Sequence, residues 1–336
     1  NDRIYGQGGK DEIGGEAGND SLSANAGADL VSGGPGDDKI VGGPDLDQMT
    51  GGTGNDRLYG EGGDDYLTGH EGDDYLSGSE GSDHLAGSDG NDQLFGSTGW
   101  DVMVGGGGDD YLDGGPDRDE LGVRNEDATL DVEAGNDTIV GGSGGDWIHG
   151  GSGKDSIDGG SGDDEIDGDC ACYLSGNNSD SILGGPGDDV ISAVTWGYGD
   201  EDQTDASGDV IDGGPGADLI FGSDGIDKLS GGDGDDDLRG FRGNDQIAGG
   251  NNDDLIHGGD GDDRLRGDAG NDDISGMLGA DDIAGGTGDD DLAGAGYATV
   301  TDISADTIDG GSNTTLFMDT CTADPPDTLI NCEWII

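Results

Sequence analysis

The sequence is poor in what ordinarily builds a globular core. Of 336 residues, 5% are aromatic and 29% hydrophobic, a smaller apolar share than a typical soluble domain carries. Basic residues are scarce. Twelve Lys+Arg stand against 78 Asp+Glu, a formal net charge of -66. So acidic a surface repels nucleic acid and anionic lipid, and leaves cations as its natural partners. No apolar run approaches the ~20 residues that cross a bilayer, so no membrane span is expected. No signal peptide is visible, but the chain opens at Asn1-Asp2 in the middle of a repeat, as a mature or excerpted chain would. By composition alone the chain would be disordered, because so little apolar surface does not offset chain entropy. A regular repeat and a bound ion are the two escapes.

The repeat is present. From Asp2 an aspartate recurs every nine residues, at Asp11, Asp20, Asp29, Asp38, Asp47, Asp56, Asp65, Asp74, Asp83, Asp92, Asp101, Asp110 and Asp119. Two residues after each sits an aliphatic residue or Met, from Ile4 and Ile13 to Leu112 and Leu121. The register resumes at Asp137, Asp146, Asp155 and Asp164, then at Asp180 and Asp189. A second long run holds Asp209, Asp218, Asp227, Asp236, Asp245, Asp254, Asp263, Asp272, Asp281 and Asp290, with Asp306 and Asp327 as weaker outliers. Gly33–Val41 (GGPGDDKIV) and Gly51–Tyr59 (GGTGNDRLY) are among the cleanest copies. A disordered acidic linker needs no aliphatic at a fixed offset, so the pattern excludes that reading.

These nonapeptides, GGxGxDxUx with U aliphatic, resemble the RTX (repeats-in-toxin) calcium-binding family. The resemblance extends over nearly the whole chain. It implies an all-β fold, a right-handed parallel β-roll solenoid.

The residue pattern supports the same architecture. Glycines permit the φ > 0 turns and let carbonyls point inward. The three-residue strand xUx sends its central aliphatic to one side. Two facing strands then close one turn from two repeats, eighteen residues. At ~4.8 Å per strand, about 19 turns make a rod on the order of 90 Å long. Aspartates eighteen apart stack, with Asp20, Asp38, Asp56, Asp74, Asp92 and Asp110 on one ladder and Asp11 to Asp119 opposite. Like charges at that spacing repel. Calcium between rungs reverses the sign, since it takes six to eight oxygens at ~2.3–2.6 Å. Alternate loop carbonyls are the co-ligands that the resemblance implies. All the aspartates from Asp11 to Asp290 named above are the expected metal ligands. About 28 Ca²⁺ ions fit between the rungs and bring the charge from -66 to roughly -10, so folding should be coupled to binding.

Four segments are expected by register: an uninterrupted β-roll over 1–121, a β-roll with irregular insertions over 122–208, a second β-roll over 209–311 and a C-terminal cap over 312–336. Loops are expected to bulge at roughly 167–179, 192–206 and 294–304, carrying Tyr173, Trp196, Tyr198 and Tyr297. The segment 122–134 keeps the register through Leu130. Before the motif aspartate, one ladder holds Asn19, Asp37, Asn55, Asp73, Asn91 and Asp109, while the other holds Lys10, Ala28, Leu46, Asp64, Ser82, Trp100 and Arg118. Ile226, Phe241, Met277 and Leu278 add apolar loop residues to a single ladder. Drift at solvent-facing positions and a partner-binding face both account for this.

Of the four cysteines, Cys321 and Cys332 flank a Pro-Pro turn, and a disulfide between them is expected to close the cap. A bridge between Cys170 and Cys172 would be strained, and a Cys-X-Cys metal site lacks nearby partners. Cysteines in such a chain favour an oxidising, secreted setting. They also depart from the many RTX proteins that lack cysteine and leave by a one-step route, which puts that route in doubt. Two glycosylation sequons, at Asn177 and Asn313, are weak signals. Catalysis is not expected. Gly141–Gly145 (GGSGG) matches a nucleophile pattern but lies in a repeat loop, and His70, His84, His149 and His257 are isolated.

The expected function is an extracellular structural or adhesive rod that calcium folds, with copies assembling end to end or side by side through bare solenoid edges. The alternative is the calcium-dependent C-terminal module of a secreted protease or lipase whose catalytic domain lies outside this chain. Ice binding needs a ladder of threonines that Thr53 does not begin.

Overall fold

A computed structural model describes residues 1–122, 135–169, 179–194 and 208–294, and the backbone of four further strands, Thr307–Asp309, Thr320–Thr322, Thr328–Ile330 and Trp334–Ile335. Among the described residues there are strands and turns but no helix, hence none long and apolar enough to cross a membrane. The chain divides into two units, Asn1–Ser161 and Gly162–Ile336.

In the first unit, strands of successive repeats fall alternately into two parallel sheets. Arg57–Gly62 pairs with Tyr75–Glu80, with Leu58 beside Leu76. Tyr66–Glu71 pairs with His84–Asp89, with Leu67 beside Leu85. Each partner lies eighteen residues along the chain. The second unit repeats the arrangement, as in Leu229 beside Ile247 and Leu238 beside Ile256. Each unit is thus a parallel β-solenoid.

The strands are longer than the three residues expected. Most span six, as in Ser21–Ala26 and Gln93–Thr98. The ladder continues past xUx into the glycines because the chain bends there without losing its pairing. Ser79 takes a φ of 88° and still stacks on Ser97, whose φ is 83°.

The core is thin and continuous. In the first unit Leu22, Ile40, Leu58, Leu76, Leu94 and Leu112 form one buried row. Val31, Met49, Leu67, Leu85, Met103 and Leu121 form the other. Burying one such side chain contributes roughly 1.5–3 kcal/mol, and each repeat supplies one. That is little against the entropy of ordering nine residues at about 1–2 kcal/mol each, so ladder hydrogen bonds and something beyond the core must hold the repeat.

The described rungs go on stacking across the irregular stretches. Asp110 N–H bonds Asp137 Oδ1, 27 residues on instead of eighteen, and Tyr111 pairs with Thr138. The strands Tyr111–Pro116 and Thr138–Ser143 thus pair directly with each other, and the stretch that holds Leu130 lies outside the described residues. In the second unit the same bond spans 25 residues from Asp164 to Asp189, and 29 from Asp180 to Asp209. The stacked rung accepts an insertion because only its ends need to return to the ladder. Strands Glu165–Asp169 and Val190–Val194 also run a few residues into the expected loops.

Candidate metal centre

The motif aspartates turn inward at the start of each strand. Of the expected ligands, all except Asp11 are at most 4% exposed, a rare state for a carboxylate. Their two oxygens are used differently. Oδ1 accepts the backbone N–H of the motif aspartate one rung earlier: Asp38 from Asp20, Asp56 from Asp38, Asp74 from Asp56 and Asp92 from Asp74, each at 2.7 Å. The second unit follows the same rule from Asp218 to Asp236 and from Asp245 to Asp263. Oδ2 has no donor. From Asp20 to Asp119 in the first unit, and at Asp189, Asp218, Asp236, Asp245, Asp254, Asp263 and Asp272 in the second, this oxygen is buried with no hydrogen-bond partner. A row of buried, unpartnered carboxylate oxygens is costly unless a cation serves it.

Backbone carbonyls share the space. A Cβ placed on Gly33 would land on Asp38 Oδ2 and the Gly51 carbonyl, and the same holds for Gly87 with Asp92 and Gly105. A Cβ on Gly52 or Gly54 would strike the Gly34 or Gly36 carbonyl, eighteen residues back. Loop carbonyls thus point along the stack from both neighbouring rungs. No three His, Cys, Asp or Glu side chains converge among the described residues, so aspartate side chains alone do not complete a site. Two carboxylates per gap plus carbonyls form an all-oxygen donor set. Hard, flexible Ca²⁺ coordination takes such a set, and thiolate- or imidazole-seeking metals do not.

The buried carboxyls hold their protons more tightly than an ordinary aspartate. Burial pushes Asp65, Asp74, Asp101 and Asp110 up to about 7, reinforced by neighbouring rung aspartates and opposed by the backbone N–H each accepts. Asp119, Asp245 and Asp254 rise to about 8 for the same reasons. A divalent ion between rungs would remove the repulsion and restore the ionised form.

A second ladder runs outside the first. Asn55 N–H bonds Asp37 Oδ1, Asp73 N–H bonds Asn55 Oδ1, Asn91 N–H bonds Asp73 Oδ1 and Asp109 N–H bonds Asn91 Oδ1. The Asn/Asp alternation noted in the sequence therefore has a cause. Each side chain caps the next rung's amide, and alternation keeps two carboxylates from stacking in succession. The opposite ladder keeps the bond where an acid remains, from Ser82 N–H to Asp64.

One rung departs from the rest. Ser223 is fully buried. Its hydroxyl lies 3.1 Å from Asp209 Oδ2 and 3.3 Å from both Asp227 oxygens, and its N–H bonds Asp227 Oδ2 at 2.7 Å. Ser97 stands at the equivalent place in the same FGSxG context, yet takes a positive φ and is partly exposed. Ser223 fills with a hydroxyl the gap that other rungs leave between carboxylates. Its neighbouring rung follows the longest insertion. Sequence reading treated Asp209 and Asp227 like the others.

The loop residues Leu46 and Trp100 of the first unit, and Ile226, Met277 and Leu278 of the second, are exposed. The expectations for Tyr173, Trp196, Tyr198, Tyr297, Asp306, Asp327, both sequons and the cysteine side chains lie outside the described residues.

The family model of the RTX calcium-binding nonapeptide repeat, four copies long, matches in overlapping windows over residues 1–121, 129–169, 174–193 and 203–292. No curated protein matches the chain. The matched windows hold every aspartate from Asp2 to Asp290 that carries the ladders.

Proposed function

The chain belongs to the RTX calcium-binding nonapeptide-repeat family, and on that premise we propose that it is an extracellular structural or adhesive solenoid that Ca²⁺ folds and stiffens. The observation that carries this reading is the row of buried Oδ2 atoms without a donor, rung after rung. The ligands are the motif aspartates from Asp11 to Asp290, two per inter-rung gap and completed by glycine-loop carbonyls, except in the gap between Asp209 and Asp227 that Ser223 fills. Two nonapeptides make one turn, in keeping with the eighteen-residue pairing, and about 28 ions fill the gaps. The bound ions neutralise most of the -66 charge, which otherwise drives the compact state apart.

The chain itself carries no active site in this reading. Acidic pairs abound, but their spacing serves an ion ladder. The C-terminal segment acts as a cap closed by Cys321 and Cys332, consistent with an oxidising exterior. Copies assemble through their open strand edges once calcium has ordered them.

Sedimentation velocity and circular dichroism in millimolar Ca²⁺ and in chelator test this. An expanded chain in chelator that becomes compact and β-rich with calcium supports the reading. A series of much larger species with calcium identifies the assembling form. No difference between the two conditions overturns it.

A further inference from the structure

The outward face of one sheet in the first unit carries a run of rings and few acids, unusual in so acidic a chain. Tyr59, Tyr75, Phe95 and Tyr111 form one continuous line of rings. Their centroids lie 5.6 Å apart for Tyr59 and Tyr75, 5.2 Å for Tyr75 and Phe95, and 5.6 Å for Phe95 and Tyr111. All four are partly exposed. Lys39 Nζ sits 5.0 Å over the Tyr59 ring and extends the line by one strand.

The rings are placed as a checkerboard. Opposite Tyr75 stand Arg57 on one side and Gln93 on the other. Opposite Ser77 stand Tyr59 and Phe95, and opposite Asp113 stands Phe95. Every ring is therefore flanked by a hydrogen-bonding side chain. Asp113 is the single acid among these outward positions from Lys39 to Asp113, in a chain with 78 acids.

Size decides what can lie there. Four strands at ~4.8 Å, each offering about three residues at ~3.3 Å, give a strip of roughly 200 Å². A stable protein interface needs about 800 Å² per partner, so a second copy of the chain is too large an occupant. A narrow, linear ligand fits. A polyproline peptide docks in slots between aromatic walls, and these tilted, touching rings leave no slot. A pyranose chain presents an apolar C–H face for a ring and a rim of hydroxyls for the neighbouring polar group, once per sugar. The checkerboard matches that alternation, and Lys39 and Arg57 at one end suit carboxylate-bearing sugars.

We propose that the Tyr59–Tyr75–Phe95–Tyr111 strip, with Arg57, Ser77 and Gln93 beside the rings, binds a linear polysaccharide. This stands apart from the calcium sites, since the strip faces away from the aspartate ladders.

The test is affinity electrophoresis of the full chain in millimolar Ca²⁺ through gels containing soluble β-glucan, polygalacturonate or no polymer. A proline-rich peptide is titrated separately. The expected result is retardation by at least one polysaccharide, weakened at least tenfold in Tyr75→Ala/Phe95→Ala and unchanged in Tyr66→Ala on the other sheet. Circular dichroism with calcium verifies that each variant is folded. Should the double variant fail to fold, Ser77→Asp/Gln93→Asp keeps the rings, adds charge and should weaken binding by a similar factor. Retardation by polygalacturonate alone assigns the ligand to the carboxylated class. No retardation of the folded wild type, binding of the peptide alone, or retardation unaffected by both double variants overturns the proposal.

Discussion

The backbone N–H of Asp56 donates to Oδ1 of Asp74, 2.7 Å away and eighteen residues further along the chain. The bond makes one carboxylate oxygen part of the backbone ladder and leaves Oδ2 buried beside it without a donor. One residue type thereby links the rungs and charges the gap between them. This explains why the motif is intolerant at this place. Glutamate would set its carboxylate one methylene too far from the amide, and asparagine would keep the bond while losing the charge.

Separating those two roles is the first prediction. Asp56→Asn/Asp74→Asn should retain the rung-to-rung bonds yet lose calcium from the adjoining gaps. Asp56→Ala/Asp74→Ala should lose both and locally unravel the strands Arg57–Gly62 and Tyr75–Glu80. Ion counting by equilibrium dialysis should show fewer bound Ca²⁺ in both variants, with β content by circular dichroism lower in the alanine pair. Unchanged calcium stoichiometry would count against these ligands.

Acidity should substitute in part for calcium. The folded-state pKa values of Asp65 and Asp74 stand at about 7, and that of Asp119 at about 8, through burial and neighbouring aspartates. An unfolded aspartate titrates near 3.9. Because the folded value is raised, the protonated fold is fully favoured below the unfolded pKa, and that advantage is lost as pH rises through about 6 to 8. In chelator, the chain should therefore show more β structure at pH 5 than at pH 8. With calcium present at pH 6, binding should release protons. Calorimetric heats measured in two buffers of different ionisation enthalpy should diverge; identical heats would mean that these carboxyls are already ionised in the calcium-free fold.

Two glycines seven residues apart should behave oppositely when replaced. A Cβ on Gly69 would land on Asp74 Oδ2 and the Gly87 carbonyl, inside the oxygen-lined gap. A Cβ on Gly62 meets nothing nearer than the Glu80 carbonyl at 3.9 Å. Gly69→Ala should lower the thermal midpoint in calcium and remove ion binding at that rung. Gly62→Ala should be neutral or stabilising by about 0.4–1 kcal/mol, through a less flexible unfolded chain. Equal midpoints for the two variants would show that the gap beside Asp74 tolerates a methyl group.

Much of this architecture was legible in the sequence because the repeat states it so many times. The nine-residue register placed Leu58, Leu76 and Leu94 in one core row and Asp56, Asp74 and Asp92 in one ladder, as the structure has them. What escaped was set by three-dimensional neighbours. Tyr111 pairs with Thr138, 27 residues on instead of eighteen, and spacing alone does not show where the pairing makes such a jump. The extra strand length past xUx depends on non-glycine residues such as Ser79 holding a positive φ within the ladder. The aromatic strip lies at outward positions flanking U, where Tyr59, Tyr75 and Phe95 are scattered in sequence and meet only when strands eighteen residues apart are stacked.

Ser223 supplies the last prediction. Its hydroxyl occupies the place between Asp209 and Asp227 where other rungs hold only carboxylate oxygens and carbonyls. Ser223 donates its hydroxyl proton to Asp209 Oδ2 and its N–H to Asp227 Oδ2, so both acids have a partner, and this rung should need no calcium of its own and should stay formed when the ladder is stripped. Ser223→Gly removes the donor and permits the positive φ that Gly34 and Gly52 adopt at the same repeat position. The variant should bind one more calcium ion than the parent, counted by native mass spectrometry. In chelator it should be less stable by about 1–3 kcal/mol, the cost of leaving a buried acceptor unserved. An unchanged ion count together with unchanged stability would mean that the serine is a bystander and that the gap is filled by calcium like its neighbours. A lower count would make the hydroxyl itself a ligand, which places Ser223 inside the calcium ladder instead of interrupting it.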